Sequence, residues 1–317
     1  MPTILLDSAA VKRLLNMPDV IAAVEEAFKL WGQGKGNMPA KAYLSLERGD
    51  FRAMPAALPG SAGIKWVNVH PQNRSRNLPT VMAVIIYNDP ETGYPLAVIA
   101  ATDITAYRTG AAAAIASKHL AGRNSQKLGI IGAGRQAYTQ ILAHSETFNL
   151  NSIKVFDVSS DAADKLVGSL PGFPIKTSSI QDALHSDIVC TVTPSRQPIV
   201  RKEWVMLGTH INAIGADAPG KEELDPAILK DAIVVVDDLR QASGGGEINV
   251  PISKGIYNAR QVRGTLAEIV LGKKPGRASD RDITVFDSTG IAIEDLAVAR
   301  VIYQKAQQES CPSIDLV

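Results

Sequence analysis

The sequence is poor in the features that mark specialised classes of protein. Its 317 residues include two cysteines, Cys190 and Cys311, widely separated, which argues against a disulfide framework or a metal knuckle and fits a reducing, cytoplasmic setting. It lacks an excess of either charge. With 33 basic and 32 acidic residues interspersed, the net charge is +1, which removes the electrostatic case for a nucleic-acid or membrane-surface partner. The densest basic spot, Lys273, Lys274 and Arg277, reads as a solvated loop. The longest apolar runs, VMAVIIY and GAAAAIA, are too short to cross a bilayer, and MPTILLDSAAVKRLL has no basic start followed by a long apolar stretch, so no signal peptide is expected. The five histidines show no ligand spacing, so no metal is expected. Neither internal repeats nor low-complexity tracts interrupt the chain.

What is present divides into two styles. Val20, Val24, Phe28 and Trp31 recur at helical spacing until GQGKG breaks the pattern. Short β-forming segments follow, AYLSL, GIKWVNV, TVMAVIIY and PLAVIAA, separated by clusters such as NDPETGYP. They predict an antiparallel sheet with helices on one face, its last two strands forming a hairpin. From Asp103 to Leu120 the chain becomes Ala-rich and helical, and a domain boundary is expected just after it.

From Lys127 onward apolar strands alternate with helical patterns, the signature of a doubly wound parallel sheet. KLGIIG supplies the first strand and Arg135–Phe148 the first helix. SIKVFD, DIVCTVT, GTHINAIG, AIVVVD and DITVFD supply later strands. Gly132, Gly134 and Ala137 make a GxGxxA turn between that first strand and helix, and Asp157 ends the next strand 25 residues after Gly132. A lone glycine fingerprint is weak, but this context makes it specific. Gly132 allows the tight turn, Gly134 the approach of a pyrophosphate to the backbone, and Ala137 close helix–strand packing. Asp157 would accept from the adenosine ribose hydroxyls and repel a 2′-phosphate, which favours NAD over NADP, although Arg135 nearby could neutralise a phosphate.

A dinucleotide carries hydride chemistry and needs a substrate presented by another surface. The first third of the chain is the candidate. Lys65 lies between Ile64 and Trp66 in a strand: facing inward, its ammonium would be desolvated towards neutrality and suit acid/base work, whereas facing outward it would be an ordinary surface lysine. The pattern leaves both open. Lys41 and Arg52 could clamp a carboxylate or lie on the surface.

RAMPA, AGIKWVNVHPQN, LPTVMAVIIYNDPETGYPLAVIAATDITAYRTGAA, GAGRQA, IGADAPGKEEL and FDSTGIAIEDLAVA together resemble the ornithine cyclodeaminase and mu-crystallin family, over nearly the whole chain. The resemblance implies a Rossmann-type α/β domain, a doubly wound parallel sheet, inserted in an α+β substrate-binding and dimerisation domain with a largely antiparallel sheet. Residues 1–122 and 290–317 would form the latter and 123–289 the former. The last helix, around Ile291–Gln308, would return to the first domain, and two such domains would pair their sheets in a homodimer.

By the same resemblance Lys65 and Asp217 are the catalytic pair. It also makes Lys41 and Arg108 substrate-carboxylate ligands, which Arg52 could join, with Arg108 opening the Ala-rich helix and, with Thr109, also near the cofactor. Cofactor contacts are expected from Gly132, Ala133, Gly134, Arg135 and Gln136 in the turn, and from Asp157, Val158 and Ser159 after the second strand. Thr193, Pro194 and Ser195, then Ile214, Gly215 and Ala216, and finally Ser288 complete the set. Ornithine cyclodeaminases carry an acid where this chain has Arg52; a cation there would repel a substrate's second ammonium by several kcal/mol, roughly, in a partly desolvated site. A small monocarboxylate is therefore expected, and the resemblance is nearest the NAD-dependent alanine dehydrogenase branch. Ornithine cyclisation, reduction of pyrroline-2-carboxylate or other ketimines, and non-enzymatic dinucleotide or ligand binding of the mu-crystallin kind are the alternatives.

Overall fold

The computed structural model describes residues 2–316. The chain forms two compact units, one from the residues up to Arg108 with those from Ile291 onward, the other Thr109–Gly290. The division falls inside the helix Thr102–Leu120, whereas composition pointed to a boundary after it; an unbroken Ala-rich helix carries no compositional mark at the point where its surroundings change.

The first unit is built on a seven-stranded sheet. Its order is Ser313–Ile314, Thr3–Leu6, Pro95–Ala100, Val81–Asn88, Ser61–Val69, Gly49–Leu58, Ala42–Leu46, and all neighbours are antiparallel except Thr3–Leu6 against Pro95–Ala100. The strand Gly49–Leu58 is hidden in the sequence because Pro55 interrupts its pattern. Pro55 is tolerated for a visible reason. Ala57, two residues on, donates to Asn37 on the side of Ala42–Leu46, so the Pro55 nitrogen points to that side too, and the partner strand has ended there at the pair Ala42 and Ala53.

Period-2 alternation puts Arg52, Met54, Ala56 and Leu58 on the buried face, with Lys65 directly across from Met54. The other face shows Trp66, Val84 and Ile86, each more than two-fifths exposed, with Phe51 stacked on Trp66 at 5.2 Å. On the buried side lie two helices. Met17–Gly32 is capped by Asn16, whose side chain accepts from Asp19 N, and buries Val20, Val24 and Phe28. Ala292–Ala306 packs against that helix and against the strands Gly49–Leu58 and Ser61–Val69.

The second unit is an eight-stranded, all-parallel sheet. Its order is Gly264–Thr265, Ile233–Val236, Thr284–Asp287, His210–Ala213, Ile188–Thr191, Lys127–Ile131, Ser152–Phe156, Ile175–Thr177. The central strands read as continuous apolar runs because helices cover both faces. Strand order reverses between Lys127–Ile131 and Ile188–Thr191, and the carboxyl ends at such a reversal are where open α/β sheets bind ligands. Gly110 lets the Ala-rich helix approach the helix Arg135–Thr147 closely: a Cβ there would lie 2.4 Å from Thr139 O.

Arg277 corrects the expectation of a solvated basic loop. Its guanidinium donates to the carbonyls of Leu120, Asp282 and Gly208 at 2.7–2.9 Å, so it satisfies the end of the Ala-rich helix and a strand-entry turn. No helix among the described residues is long and apolar enough to cross a membrane.

Candidate active site

In the first unit Lys65 points inward. It is 2% exposed, and its Nζ lies 2.6 Å from Asp295 Oδ2, a close ion pair whose angle is poor for a hydrogen bond. Burial pushes the Lys65 ammonium down to about 7; Asp295 resists this, and the neighbouring positive charges of Arg108 and Lys41 reinforce it. A lysine held near neutrality can give and take a proton at physiological pH.

Arg108 shares the same carboxylate. Its Nε donates to Asp295 Oδ1 at 3.0 Å and its Nη1 to Glu294 Oε2 at 2.7 Å. Burial opposes the charge on Arg108, but the two carboxylates outweigh it and hold the guanidinium above its usual value. Arg108 lies in the second turn of the helix beginning at Thr102 rather than opening it, so the carbonyl and N–H groups of the first turn separate it from the helix end.

Arg52 is buried too, at 5% exposure. It donates through Nε to Asp50 Oδ1 at 2.7 Å and lies over the Tyr43 ring at 5.3 Å. Lys41, half-buried, immediately precedes the strand Ala42–Leu46. Thus Lys41, Arg52, Lys65 and Arg108 belong to one unit, and two of them converge on a carboxylate pair that sequence reasoning did not single out. The signal was available: Glu294 and Asp295 are adjacent acids in a helix whose other residues up to Ala299 are Ala, Ile, Leu and Val.

In the second unit Gly132 adopts φ 104°, a conformation open to glycine, and a Cβ there would press on Thr193 Cγ2 and Val192 O at 3.0 and 3.1 Å. Gly134 caps the helix Arg135–Thr147 without a side chain, and a Cβ on it would meet open space. Asp157 accepts from Ala133 N at 2.7 Å and from Ser159 N at 2.8 Å, tying the glycine turn to the next strand's end. Ser159 in turn caps the helix Ser160–Gly168. Between them Val158 is 96% exposed.

The second crossing strand ends at Thr191, and there Glu223 acts as a collector. Its carboxylate accepts from Thr191 Oγ1, Thr193 N, Thr193 Oγ1 and Gly215 N at 2.7–2.8 Å, which fixes the segments Thr193–Ser195 and Ile214–Ala216 to each other. Pro194 is exposed and Ser195 bonds within its own turn, to Gln197 O. Asp217, half-buried on the loop beyond, contacts Lys221 Nζ at 2.5 Å. Ser288 Oγ and Gln136 Oε1 are buried without a hydrogen-bond partner among the described residues, and Arg135 is exposed. Thr109, buried, uses its carbonyl to accept from Gln140.

The family model for the ornithine cyclodeaminase/mu-crystallin family matches residues 1–310. The chain belongs to that family. Within it, the alanine dehydrogenase of Archaeoglobus fulgidus is 51% identical over 315 residues, 99% of this chain and 98% of that one. Among solved structures of the family, an archaeal alanine dehydrogenase dimer with bound NAD superposes with a TM-score of 0.98 at 51% identity, covering 100% of both chains. The Δ1-pyrroline-2-carboxylate reductase of Thermococcus litoralis, in complex with NADH and L-proline, superposes with a TM-score of 0.93 at 37% identity, covering 96% of this chain and 98% of that one. The alternation of strands and helices, the glycine turn and the largely antiparallel first sheet are therefore family architecture.

Proposed function

We propose that this protein is an NAD-dependent alanine dehydrogenase, which oxidatively deaminates L-alanine to pyruvate and ammonia and runs the reverse reductive amination. The observation that carries this reading is the 51% identity to the Archaeoglobus fulgidus alanine dehydrogenase along 99% of the chain. The site chemistry supports it. Buried Arg52 and Arg108 suit a carboxylate, and Arg52 disfavours a substrate with a second ammonium.

The residues of the second unit fit NAD. Gly132 permits the turn and Gly134 leaves its backbone open to a pyrophosphate at the start of a helix. Asp157 keeps lone pairs for the ribose hydroxyls, and exposed Val158 offers an apolar surface for the adenine. The buried, unpartnered Ser288 Oγ and Gln136 Oε1 are groups that a polar ligand would satisfy. We assign Thr109, Ala133, Arg135, Ser159, Thr193–Ser195 and Ile214–Ala216 to the same cofactor surface. When bound, NAD supplies the acceptor for the α-hydrogen of alanine.

Lys41, Arg52 and Arg108 hold the carboxylate of alanine. Asp217 orients and deprotonates the water that attacks the iminium carbon. Lys65, poised near neutrality, moves protons as the carbinolamine loses ammonia. The first unit serves as the substrate-binding and dimerisation domain and the second as the NAD-binding domain. The apolar outer face with Trp66, Val84 and Ile86 supports pairing with a second copy, and the two free cysteines support a cytoplasmic location.

The test is NADH oxidation with pyruvate alone, with pyruvate and ammonium, and with pyrroline-2-carboxylate. Oxidation that needs pyruvate and ammonium together is expected. Activity confined to the cyclic imine would overturn the reading in favour of a reductase. Silence in all three, with NADH still bound, would point to a binding protein.

A further inference from the structure

The first unit contains more charge than its proposed chemistry requires. Holding a monocarboxylate and moving a proton call for cations, yet Glu294 and Asp295 bring two carboxylates into the same buried place. Burying an acid costs several kcal/mol, roughly, unless it is paired, and adjacent acids in an apolar helix carry that cost twice. These acids are paired in one particular way. Asp295 divides its oxygens, Oδ2 to Lys65 Nζ at 2.6 Å and Oδ1 to Arg108 Nε at 3.0 Å, while Glu294 takes Arg108 Nη1 at 2.7 Å.

We propose that Asp295 is a positioning residue of the reaction, a carboxylate shared between Lys65 and Arg108 that fixes the lysine ammonium in place and governs when it gives up its proton, with Glu294 fixing the far side of the same arginine. The proposal rests on the alanine dehydrogenase reading and deepens it.

The geometry has two consequences. With Nε and Nη1 of Arg108 engaged from the helix Ala292–Ala306, Nη2 is the nitrogen left to meet a substrate carboxylate, so the arginine cannot turn to offer its Nε edge. And with its ammonium tied to Asp295, Lys65 is not drawn onto the substrate carboxylate as a competing counter-ion. It stays available for proton transfer.

The groups facing Lys65 set the sign. Arg108 and Lys41 are positive and, with burial, favour the neutral amine; Asp295 favours the ammonium. Glu294 offsets Arg108, and Arg52, on the same sheet face, is offset by Asp50. Without the Asp295 charge nothing opposes burial at Lys65, and its proton is held more weakly.

The experiment measures Lys65 directly. Competitive acetylation of the full-length protein across pH, read by peptide mass spectrometry, gives the titration midpoint of Lys65 without reference to turnover. In Asp295→Asn the midpoint should fall by roughly one to three pH units, and in Asp295→Glu it should stay near the wild-type value. The acid-side fall of alanine oxidation should move to correspondingly lower pH in Asp295→Asn, because the Lys65 amine then stays unprotonated further down, with NADH affinity unchanged. A midpoint in Asp295→Asn equal to wild type overturns the proposal. Should Asp295→Asn fail to fold, Asp295→Glu carries the test: a turnover loss of about tenfold with the pyruvate KM nearly unchanged is expected, because the charge is kept and only its place moves, and unaltered turnover overturns the proposal. Failure of the alanine dehydrogenase reading would show separately, as wild-type protein that does not aminate pyruvate while the Lys65 midpoint still responds to Asp295→Asn.

Discussion

Asp157 turns one carboxylate oxygen onto the backbone N–H of Ala133, at 2.7 Å, and thereby ties the end of one strand to the glycine turn at the end of its neighbour. In the proposed function the same carboxylate also accepts from the adenosine ribose. Replacing it removes both a brace of the phosphate turn and the ribose acceptor. In Asp157→Ala the dissociation constant for NADH should rise roughly tenfold to a hundredfold, as expected for loss of a charged hydrogen-bond acceptor, while that for NADPH rises much less. Fluorescence titration with both nucleotides checks this, and an unchanged preference would remove Asp157 from cofactor selection.

Lys65 carries the second prediction. In Lys65→Ala, turnover should fall roughly a hundredfold to ten-thousandfold with NADH affinity largely intact. Wild-type alanine oxidation should decline as pH is lowered through about 7, where the Lys65 amine becomes protonated. A wild-type profile flat across that range, or near-normal turnover in the variant, would exclude Lys65 as the proton carrier.

Glu223 gathers four donors from the ends of two neighbouring strand connections, and a carboxylate can accept from all of them. Glu223→Gln keeps the shape but turns one acceptor into a donor facing an N–H or a hydroxyl. The variant should lose roughly 1–3 kcal/mol of stability and, if the proposed cofactor surface is right, bind NADH more weakly, since the segments at Thr193 and Gly215 lose their common anchor. Denaturant unfolding and nucleotide titration together test it; wild-type values in both would make Glu223 a bystander.

The fourth prediction concerns pH and stability. Burial pushes the Asp287 carboxyl up to about 8, and burial also raises Glu223 and Glu247, the latter further because Glu223 lies beside it. For a raised acid the folded state binds more protons than the unfolded one, so its contribution is fully present below the unfolded pKa and is lost as pH rises through the folded one. For Asp287 that window runs from about 4 to about 8. Each such proton makes stability fall by at most about 1.4 kcal/mol per pH unit. Thermal melting should therefore drop across this range, and Asp287→Asn should flatten the drop. Parallel melting curves for variant and wild type would contradict the assignment.

Much of this was legible in the sequence because it rests on local periodicity. The apolar runs from Lys127 onward, interrupted every ten to twenty residues by helical patterns, announce a parallel sheet, and Gly132 with Gly134 marks its first crossing. What escaped depends on partners distant in sequence. The orientation of Lys65 is decided by Asp295, and no period within its own strand could reveal that. Arg52 looks like a surface charge until Gly49–Leu58 is recognised as a strand, and Pro55 hides the strand. Arg277 reads as a solvated cation because the carbonyls that bind it belong to Leu120 and Gly208, far along the chain.

The order of synthesis adds a consequence. Lys65 and Arg108 leave the ribosome long before Glu294 and Asp295, the carboxylates that neutralise them in the folded unit. Until that helix emerges, closing the first sheet over these two cations would incur a desolvation cost that the folded unit offsets with its two carboxylates. The acidic pair thus makes closure of the first unit depend on a segment that follows Thr109–Gly290 in the chain.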